Sequence, residues 1–202
     1  MIITIMGYGK GKTESAIGCT VRALANHEKV LFVQFLKDGK SSEVDFLNKY
    51  SDITFMYIPW DKISLPSNVN EVDKEKFNLF LDEIITELYR NKYGLVVLDE
   101  VLPAIDLGLM SFDELIDIIS IPKEVDENSS TDFYLTGRAR SHKLREEVRK
   151  LSDICSDAYC KKHCFDTYCK SCDNTFPYYF KYCPQCGSVL EISKPSKKGR
   201  DY

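Results

Sequence analysis

The sequence has no long apolar run, no excess of basic residues and no low-complexity region. None of its apolar stretches reaches the roughly 18–20 residues that a membrane-spanning helix needs. The first apolar run covers only residues 1–6 and lysines follow it, which argues against a signal peptide. The formal net charge is −4, so no global basic field favours nucleic acid as a partner. We therefore expect a cytoplasmic protein that uses neither a membrane nor nucleic acid.

Cysteine is nearly absent from the first three quarters of the chain, because seven of the eight cysteines follow residue 150. Clustered thiols in a chain expected to be cytoplasmic predict a metal site before they predict disulfides. Two Cys-x2-Cys pairs, Cys169 with Cys172 and Cys183 with Cys186, are separated by ten residues. This spacing is typical of a zinc ribbon in which four thiolates hold a structural Zn²⁺. Disulfides and unbound thiols are the alternatives.

The other late cysteines, Cys155, Cys160 and Cys164, do not have this spacing. They are either ordinary thiols or, together with His163, a second and weaker metal site.

The chain is 44% hydrophobic, enough for one substantial core and a small appendage. Apolar patterns predict strands at 2–6, 30–35, 53–58, 95–98 and 133–135, and helices at 14–26, 73–90 and 111–119. Ser111 and Glu114 have the spacing of a capping box. Strands that alternate with helices predict a three-layer α/β fold with a mainly parallel sheet. We expect a nucleotide-binding domain at 1–166, a ribbon at 167–193 and a tail at 194–202 that returns to the main domain.

A glycine-rich stretch lies between the first predicted strand and the first predicted helix. It reads Gly7-Tyr8-Gly9-Lys10-Gly11-Lys12-Thr13, followed by Glu14. Backbone amides at such a turn, together with the helix N-terminus, bind phosphate. The Lys12 side chain is placed to reach phosphate oxygens, and the Thr13 hydroxyl is placed to bind Mg²⁺. The sequence therefore predicts a P-loop for ATP; a lysine-rich surface turn is the alternative.

Two further strand ends carry charged residues that suit the same site. The strand at 95–98 ends in Asp99 and Glu100, and carboxylates opposite a phosphate loop bind Mg²⁺ directly or through water. Arg138 follows the strand at 133–135, where a guanidinium could hold terminal phosphate oxygens. The alternatives are a turn or helix-capping acid and a surface arginine. The single tryptophan, Trp60, either packs on its own domain or contacts a flat ligand.

Several motifs in this order resemble the P-loop class of ATP:corrinoid adenosyltransferases. They are the phosphate-loop stretch, Val33-Gln34-Phe35-Leu36-Lys37, Val96-Val97-Leu98-Asp99-Glu100, Leu135-Thr136-Gly137-Arg138, Lys162-His163-Cys164-Phe165-Asp166 and Lys198-Gly199-Arg200-Asp201-Tyr202. The four-cysteine element is an insertion relative to that family. Glu14 stands where the family commonly has Thr or Ser, and the family's Gly-Glu-Arg-Asn-like segment is not evident.

The resemblance implies a P-loop (RecA-like) enzyme of cobalamin biosynthesis or salvage that transfers the 5′-deoxyadenosyl group of ATP to Co(I) of a corrinoid. Triphosphate leaves intact, and cobalt is itself the nucleophile, in keeping with a sequence that shows no Ser-His-Asp or Cys-His arrangement. Lys12, Thr13, Glu100 and Arg138 are then the residues that stabilise the triphosphate, with Mg²⁺ on Thr13 and the carboxylates. The resemblance also implies a corrinoid contact at Trp60, a reductase that supplies Co(I), and a homodimer.

Two other functions fit part of the sequence. Thymidine kinases of the zinc-bearing type also join a P-loop domain to a four-cysteine ribbon, although the Leu-Thr-Gly-Arg and Lys-His-x-Phe-Asp segments argue against that class. A non-catalytic, ATP-responsive binding module is the second alternative, in which the ribbon docks a partner.

Overall fold

The computed structural model describes residues 1–37, 39, 42–60, 69–159, 166–171, 174–177, 182–183 and 186–192. The main strands are β1 (Ile2–Met6), β2 (Val30–Lys37), β3 (Ile53–Pro59), β4 (Leu95–Asp99), β5 (Asp132–Gly137) and β6 (Ile154–Asp157). The helices are α1 (Lys12–Ala25), α2 (Ser42–Leu47), α3 (Glu71–Arg90), α4 (Val101–Asp106), α5 (Phe112–Val125) and α6 (His142–Leu151). Strands and helices alternate, as a parallel sheet with crossover helices requires.

The six strands form one sheet in the order β3-β2-β4-β5-β1-β6. Every strand pair in this sheet is parallel. The predicted three-layer, mainly parallel α/β fold is therefore confirmed. A single strand, β5, separates β1 from β4, so the phosphate-loop candidate and the acidic strand end lie near each other at the carboxyl edge. Ligands bind at that edge in open α/β sheets.

Alternating side chains of the buried strands pack into two separate clusters, one on each face of the sheet. Leu31 and Val33 of β2 join the larger cluster, which includes buried residues of α3, α4, α5 and α6. Val30 and Phe32 of the same strand join the smaller cluster with α1. The two clusters cover the sheet on both faces, as a three-layer fold requires. Burial of each such large apolar side chain stabilises the fold by roughly 1.5–3 kcal/mol.

Several elements extend beyond their predicted limits for local reasons. Helix α3 begins at Glu71 because the Asn70 side chain and Asp73 form a capping box. The predicted capping box of Ser111 and Glu114 is present at the start of α5. This helix continues past residue 119 to Val125 although it contains Pro122. The elements α2, α4, α6 and β6 are additional to the predicted ones.

The chain divides into two compact units, Met1–Tyr159 and Cys160–Tyr202. In the second unit, β7 (Asp166–Cys169) pairs antiparallel with β8 (Asn174–Pro177) and with β9 (Glu191–Ile192). The predicted tail at 194–202 lies outside the described residues, as do the Lys-His-x-Phe-Asp residues 162–165. The ribbon and tail boundaries stay predictions. Among the described residues, no helix has the length and apolar character to cross a membrane.

Candidate functional site

The glycine-rich turn joins β1 to α1 as predicted. Gly7 and Gly11 have φ values of 110° and 98°, in the region that favours glycine. Gly11 is the N-cap of α1, and Lys12 and Thr13 are the first two residues of the helix. The first amides of a helix have no intrahelical acceptor, so an anion can bind them with help from the helix dipole.

Two of the glycines in this turn are required by close packing against Ala158, which follows β6. The Gly9 amide donates to the Ala158 carbonyl at 2.7 Å, and the Gly7 amide donates to the Gly137 carbonyl at 3.2 Å. A Cβ atom would lie 2.6 Å from the Ala158 oxygen at Gly7 and 2.7 Å from the Ala158 carbonyl carbon at Gly9. Since these two amides are paired inside the protein, the amides nearer the helix are the ones that can face an anion.

Lys12 is a buried cation whose side chain turns back to the loop. It is only 6% exposed, and its Nζ donates to the Gly9 carbonyl at 2.7 Å. Burial lowers the pKa of Lys12, an effect that the nearby Glu100 carboxylate opposes. No carboxylate of the described residues forms an ion pair with Lys12. A bound anion would therefore supply the partner that this charge lacks.

Asp99 is fully buried and accepts hydrogen bonds from four side chains. The donors are Thr13 Oγ1 at 3.0 Å, Gln34 Nε2 at 3.2 Å, Lys37 Nζ at 2.7 Å and Thr136 Oγ1 at 2.7 Å. These contacts occupy the acceptor positions of the carboxylate. Asp99 is thus built to hold Thr13 and Lys37 in place.

Glu100 differs from its neighbour in conformation and in environment. Its φ of 60° is left-handed, a strained conformation that is common at functional sites. Burial and the charge of Asp99 raise the pKa of Glu100, while Lys12, Lys37 and Arg138 act in the opposite direction. The described residues give its carboxylate no hydrogen bond. Glu100 is therefore the carboxylate that remains available to a ligand.

The oxygen donors of this site fit a hard divalent cation. Mg²⁺ prefers oxygen ligands, and Thr13 offers a hydroxyl beside the available carboxylate of Glu100. The Thr13 hydroxyl donates a hydrogen bond to Asp99 at 3.0 Å, and the lone pairs of the hydroxyl oxygen therefore point away from Asp99. This donor set suits Mg²⁺ at Thr13 and Glu100 and leaves Asp99 as a supporting group, so the metal role of the three residues stays a prediction.

An aromatic ring and two guanidinium groups lie beside the turn. The Cζ atoms of Arg138 and Arg145 lie 5.8 Å and 6.0 Å from the centre of the Tyr8 ring. The Nε of Arg145 also donates to the Ala139 carbonyl at 2.7 Å, which fixes its direction. Burial lowers the pKa of Lys12 and raises that of Glu100, and the positive charge of Arg138 adds to the first effect and opposes the second. These cations give the site a positive field suited to phosphate.

The remaining predicted ligands lie further out. Lys10 and Glu14 are exposed at the turn and at the start of α1. Trp60 follows β3, and four strand-to-strand steps separate β3 from β1 in the sheet. The axes of these two strands are therefore about 19 Å apart. The Trp60 ring packs against the larger core cluster, and its indole Nε1 is buried without a hydrogen-bond partner among the described residues. The structure therefore brings together the phosphate-side residues and leaves Trp60 outside that group.

Four side chains of the site were not predicted as ligands. Gln34 lies within the predicted strand at 30–35, Lys37 lies just beyond that strand, Thr136 directly follows the predicted strand at 133–135, and Arg145 lies in a basic segment. The signal that could have identified Lys37 is its position directly after a buried strand at the ligand edge. No sequence pattern indicated the inward direction of its side chain.

A separate candidate metal centre lies in the second unit. The Sγ atoms of Cys169, Cys183 and Cys186 lie within 4.8 Å of one another, and those of Cys169 and Cys186 are 3.6 Å apart. Next to the last two, the Gly187 amide donates to the Cys183 carbonyl at 2.8 Å. Three converging thiols fit a thiolate metal site better than a single disulfide. The fourth predicted ligand, Cys172, lies outside the described residues.

The family model described as "ATP:corrinoid adenosyltransferase BtuR/CobO/CobP" matches residues 1–173 of this chain. A curated relative named "Corrinoid adenosyltransferase" from Pseudomonas aeruginosa is 28% identical over 117 residues, which are 57% of this chain and 58% of the relative. The "Uncharacterized protein all2391" of Nostoc sp. is 28% identical over 162 residues, 68% of this chain and 39% of that protein. The chain thus spans less than two thirds of either relative.

Solved structures with a similar course of the chain include the flagellar accessory protein FlaH of Methanocaldococcus jannaschii. That match has a TM-score of 0.48 and 11% identity, and it covers 95% of this chain and 89% of the other. The KaiC-like protein PH0186 of Pyrococcus horikoshii has a TM-score of 0.40 and 14% identity, with 73% and 68% covered.

Proposed function

Because the chain belongs to the ATP:corrinoid adenosyltransferase family, we propose that it transfers the 5′-deoxyadenosyl group of ATP to Co(I) of a corrinoid. The observation that carries the proposal is the convergence of Lys12, Thr13, Glu100 and Arg138 around the glycine-rich turn. In a chain of this family, such a cluster is suited to binding the triphosphate group of ATP.

The proposed reaction is a nucleophilic substitution. The Co(I) electron pair forms the Co–C bond to C5′ of ATP, the C5′–O bond breaks, and triphosphate leaves with the electron pair of the C5′–O bond. No proton has to be removed from the nucleophile, so the protein needs no general base. Its contribution is to orient C5′ toward cobalt and to stabilise the charge that develops on the leaving group.

The buried Lys12 ammonium and the first amides of α1 are the groups that would stabilise this charge. Arg138 adds a second cation on the Tyr8 side of the turn. Thr13 and Glu100 would hold Mg²⁺, which supplies further positive charge to the triphosphate when it is bound. Asp99 would orient Thr13 without touching the nucleotide.

The corrinoid contact at Trp60, a reductase that supplies Co(I), and a homodimer belong to the same proposal. They are supported by the family membership of residues 1–173. The indole nitrogen of Trp60 is buried and has no hydrogen-bond partner among the described residues, which supports a contact with a flat ligand through the ring rather than through the N–H.

The decisive test is product analysis under anaerobic, reducing conditions with Mg-ATP and a Co(I) corrinoid. We expect equal amounts of inorganic triphosphate and a light-sensitive adenosylated corrinoid. If ADP forms, and only when thymidine is added, the protein is a thymidine kinase and the proposal is wrong. Intact ATP binding with neither product would replace it with a nucleotide-responsive binding module.

The two adjacent carboxylates are expected to respond differently to neutral substitution. Glu100→Gln should lower turnover at least about 100-fold, because it removes a carboxylate that would hold Mg²⁺ at the triphosphate. Its Tm should stay the same or rise, because burial already disfavours the ionised carboxylate. Asp99→Asn should lower Tm by roughly 5 °C, about 2 kcal/mol, because it breaks a buried hydrogen-bond network.

Single-turnover kinetics and thermal unfolding of both variants test this division. If Glu100→Gln destabilises the protein and leaves turnover intact, while Asp99→Asn behaves oppositely, the two roles are reversed. Glu83→Gln, at an exposed position in α3, is a matched control for the loss of one carboxylate charge.

A further inference from the structure

Lys37 lies between the two oxygen-bearing side chains of the phosphate site. Its Nζ donates to Thr13 Oγ1 at 3.0 Å and to Asp99 Oδ2 at 2.7 Å. The side chain is 28% exposed, whereas Asp99 is fully buried. Lys37 is therefore a cation at the rim of the site whose charged end reaches inward.

The backbone before Lys37 is irregular in a way that directs this side chain. Strand β2 pairs in regular register with β3 as far as Gln34, and the register then shifts before Lys37. Leu36, inside the shift, has a φ of 55°. Left-handed backbone is unfavourable for a branched apolar residue, and bulges beside functional sites commonly redirect a side chain. In a regular strand, the side chains of Phe35 and Lys37 would lie on the same face of the sheet. Without the bulge, the Lys37 side chain would therefore point toward the larger apolar cluster.

The groups around the Lys37 ammonium are the groups that a hard cation uses. Thr13 donates its hydroxyl proton to Asp99, so its lone pairs are open to cations, and Lys37 occupies one of them. A divalent cation on the same hydroxyl would be strongly repelled by the ammonium a few ångströms away. The two charges would therefore compete for Thr13 unless a polyanion separates them.

We propose that Lys37 is an internal cation that excludes divalent metal from Thr13 in the nucleotide-free protein and moves onto phosphate oxygens when a metal–polyphosphate complex binds. Metal then enters only together with its nucleotide. The identity of that nucleotide as ATP rests on the proposed function; the exclusion of metal does not.

The test is a titration of the nucleotide-free protein with Mn²⁺, followed by electron paramagnetic resonance. Lys37→Gln should bind Mn²⁺ at least about tenfold more tightly than the unchanged protein, because the competing charge is gone. Lys37→Arg, which keeps the charge, should remain weak. Lys29→Gln removes an exposed lysine just before the opposite end of β2 and should also remain weak.

Thermal unfolding supplies a second measurement, because Lys37→Gln leaves the buried Asp99 without its cation. Mn²⁺ without nucleotide should raise the Tm of Lys37→Gln and leave that of the unchanged protein as it is. Equal Mn²⁺ affinity in both proteins, or no rescue of Tm, overturns the proposal. Neither measurement uses a corrinoid, so a chain that failed to adenosylate could still confirm the role of Lys37, and an active chain could refute it.

Discussion

Replacing Lys12 by alanine is expected to abolish measurable ATP binding, which corresponds to a loss of at least about 100-fold in affinity. The side chain is buried, its pKa is lowered by burial, and it lacks a carboxylate partner among the described residues. A phosphate group would provide that partner. A charge-assisted hydrogen bond to a buried group contributes roughly 1.5–3 kcal/mol to the binding free energy, and the variant would lose the Coulomb attraction as well. Isothermal titration calorimetry with Mg-ATP measures the change directly.

The fold should survive this substitution, which separates lost binding from lost structure. Lys12 makes one hydrogen bond to the Gly9 carbonyl, and its burial in charged form already costs free energy. We therefore expect a Tm within about 3 °C of the unchanged protein, since the roughly 1.5–3 kcal/mol of one hydrogen bond from a charged donor is offset by the cost of burying that charge. Lys29→Ala is the matched control and should bind ATP normally. An affinity of Lys12→Ala within threefold of the control would remove the phosphate-loop assignment.

The phosphate side of the site was predictable because its parts are local in sequence. The turn at 7–11 and the start of α1 follow from glycine spacing, and a buried strand such as β4 reveals its end by the change from apolar to acidic residues. Sheet topology then places these ends at one edge. Local pattern plus a parallel sheet was enough to bring Lys12 and Glu100 together.

The different environments of the Asp99 and Glu100 carboxylates were not predictable, because they depend on the left-handed backbone at Glu100. The sequence shows two adjacent acids, and only the structure shows that Asp99 is occupied by four donors. Lys37 likewise lies beyond the predicted strand at 30–35, since a bulge has no reliable pattern in a strand of apolar residues. Tertiary contacts decided both cases.

A different limit applies to Trp60. The sequence indicated an aromatic residue after a strand, which is compatible both with packing and with a flat ligand. In the structure the ring is partly buried against the larger cluster, so packing accounts for part of its surface. An aromatic residue in this position looks the same in sequence whether it packs in a core or contacts a ligand, so the sequence cannot separate the two roles.

Replacing Cys183 and Cys186 by serine together is expected to remove one zinc per chain. The three described thiol sulfurs lie within 4.8 Å of one another, and a serine hydroxyl is a poor substitute for a thiolate on Zn²⁺. The described apolar cluster of the second unit contains only Cys169, Cys183 and Leu190. A structural Zn²⁺ held by these thiolates would contribute folding free energy to the described strands around them.

Elemental analysis of the purified protein measures zinc content, and limited proteolysis measures the consequence for the fold. In the double variant, residues 160–202 should become sensitive to protease, while the unit Met1–Tyr159, which has its own two-sided core, should keep its thermal transition. Cys155→Ser, an exposed thiol on β6, is the matched control and should retain full zinc. Unchanged zinc in the double variant would contradict the ribbon assignment, because a tetrahedral thiolate site does not survive the loss of two of its ligands.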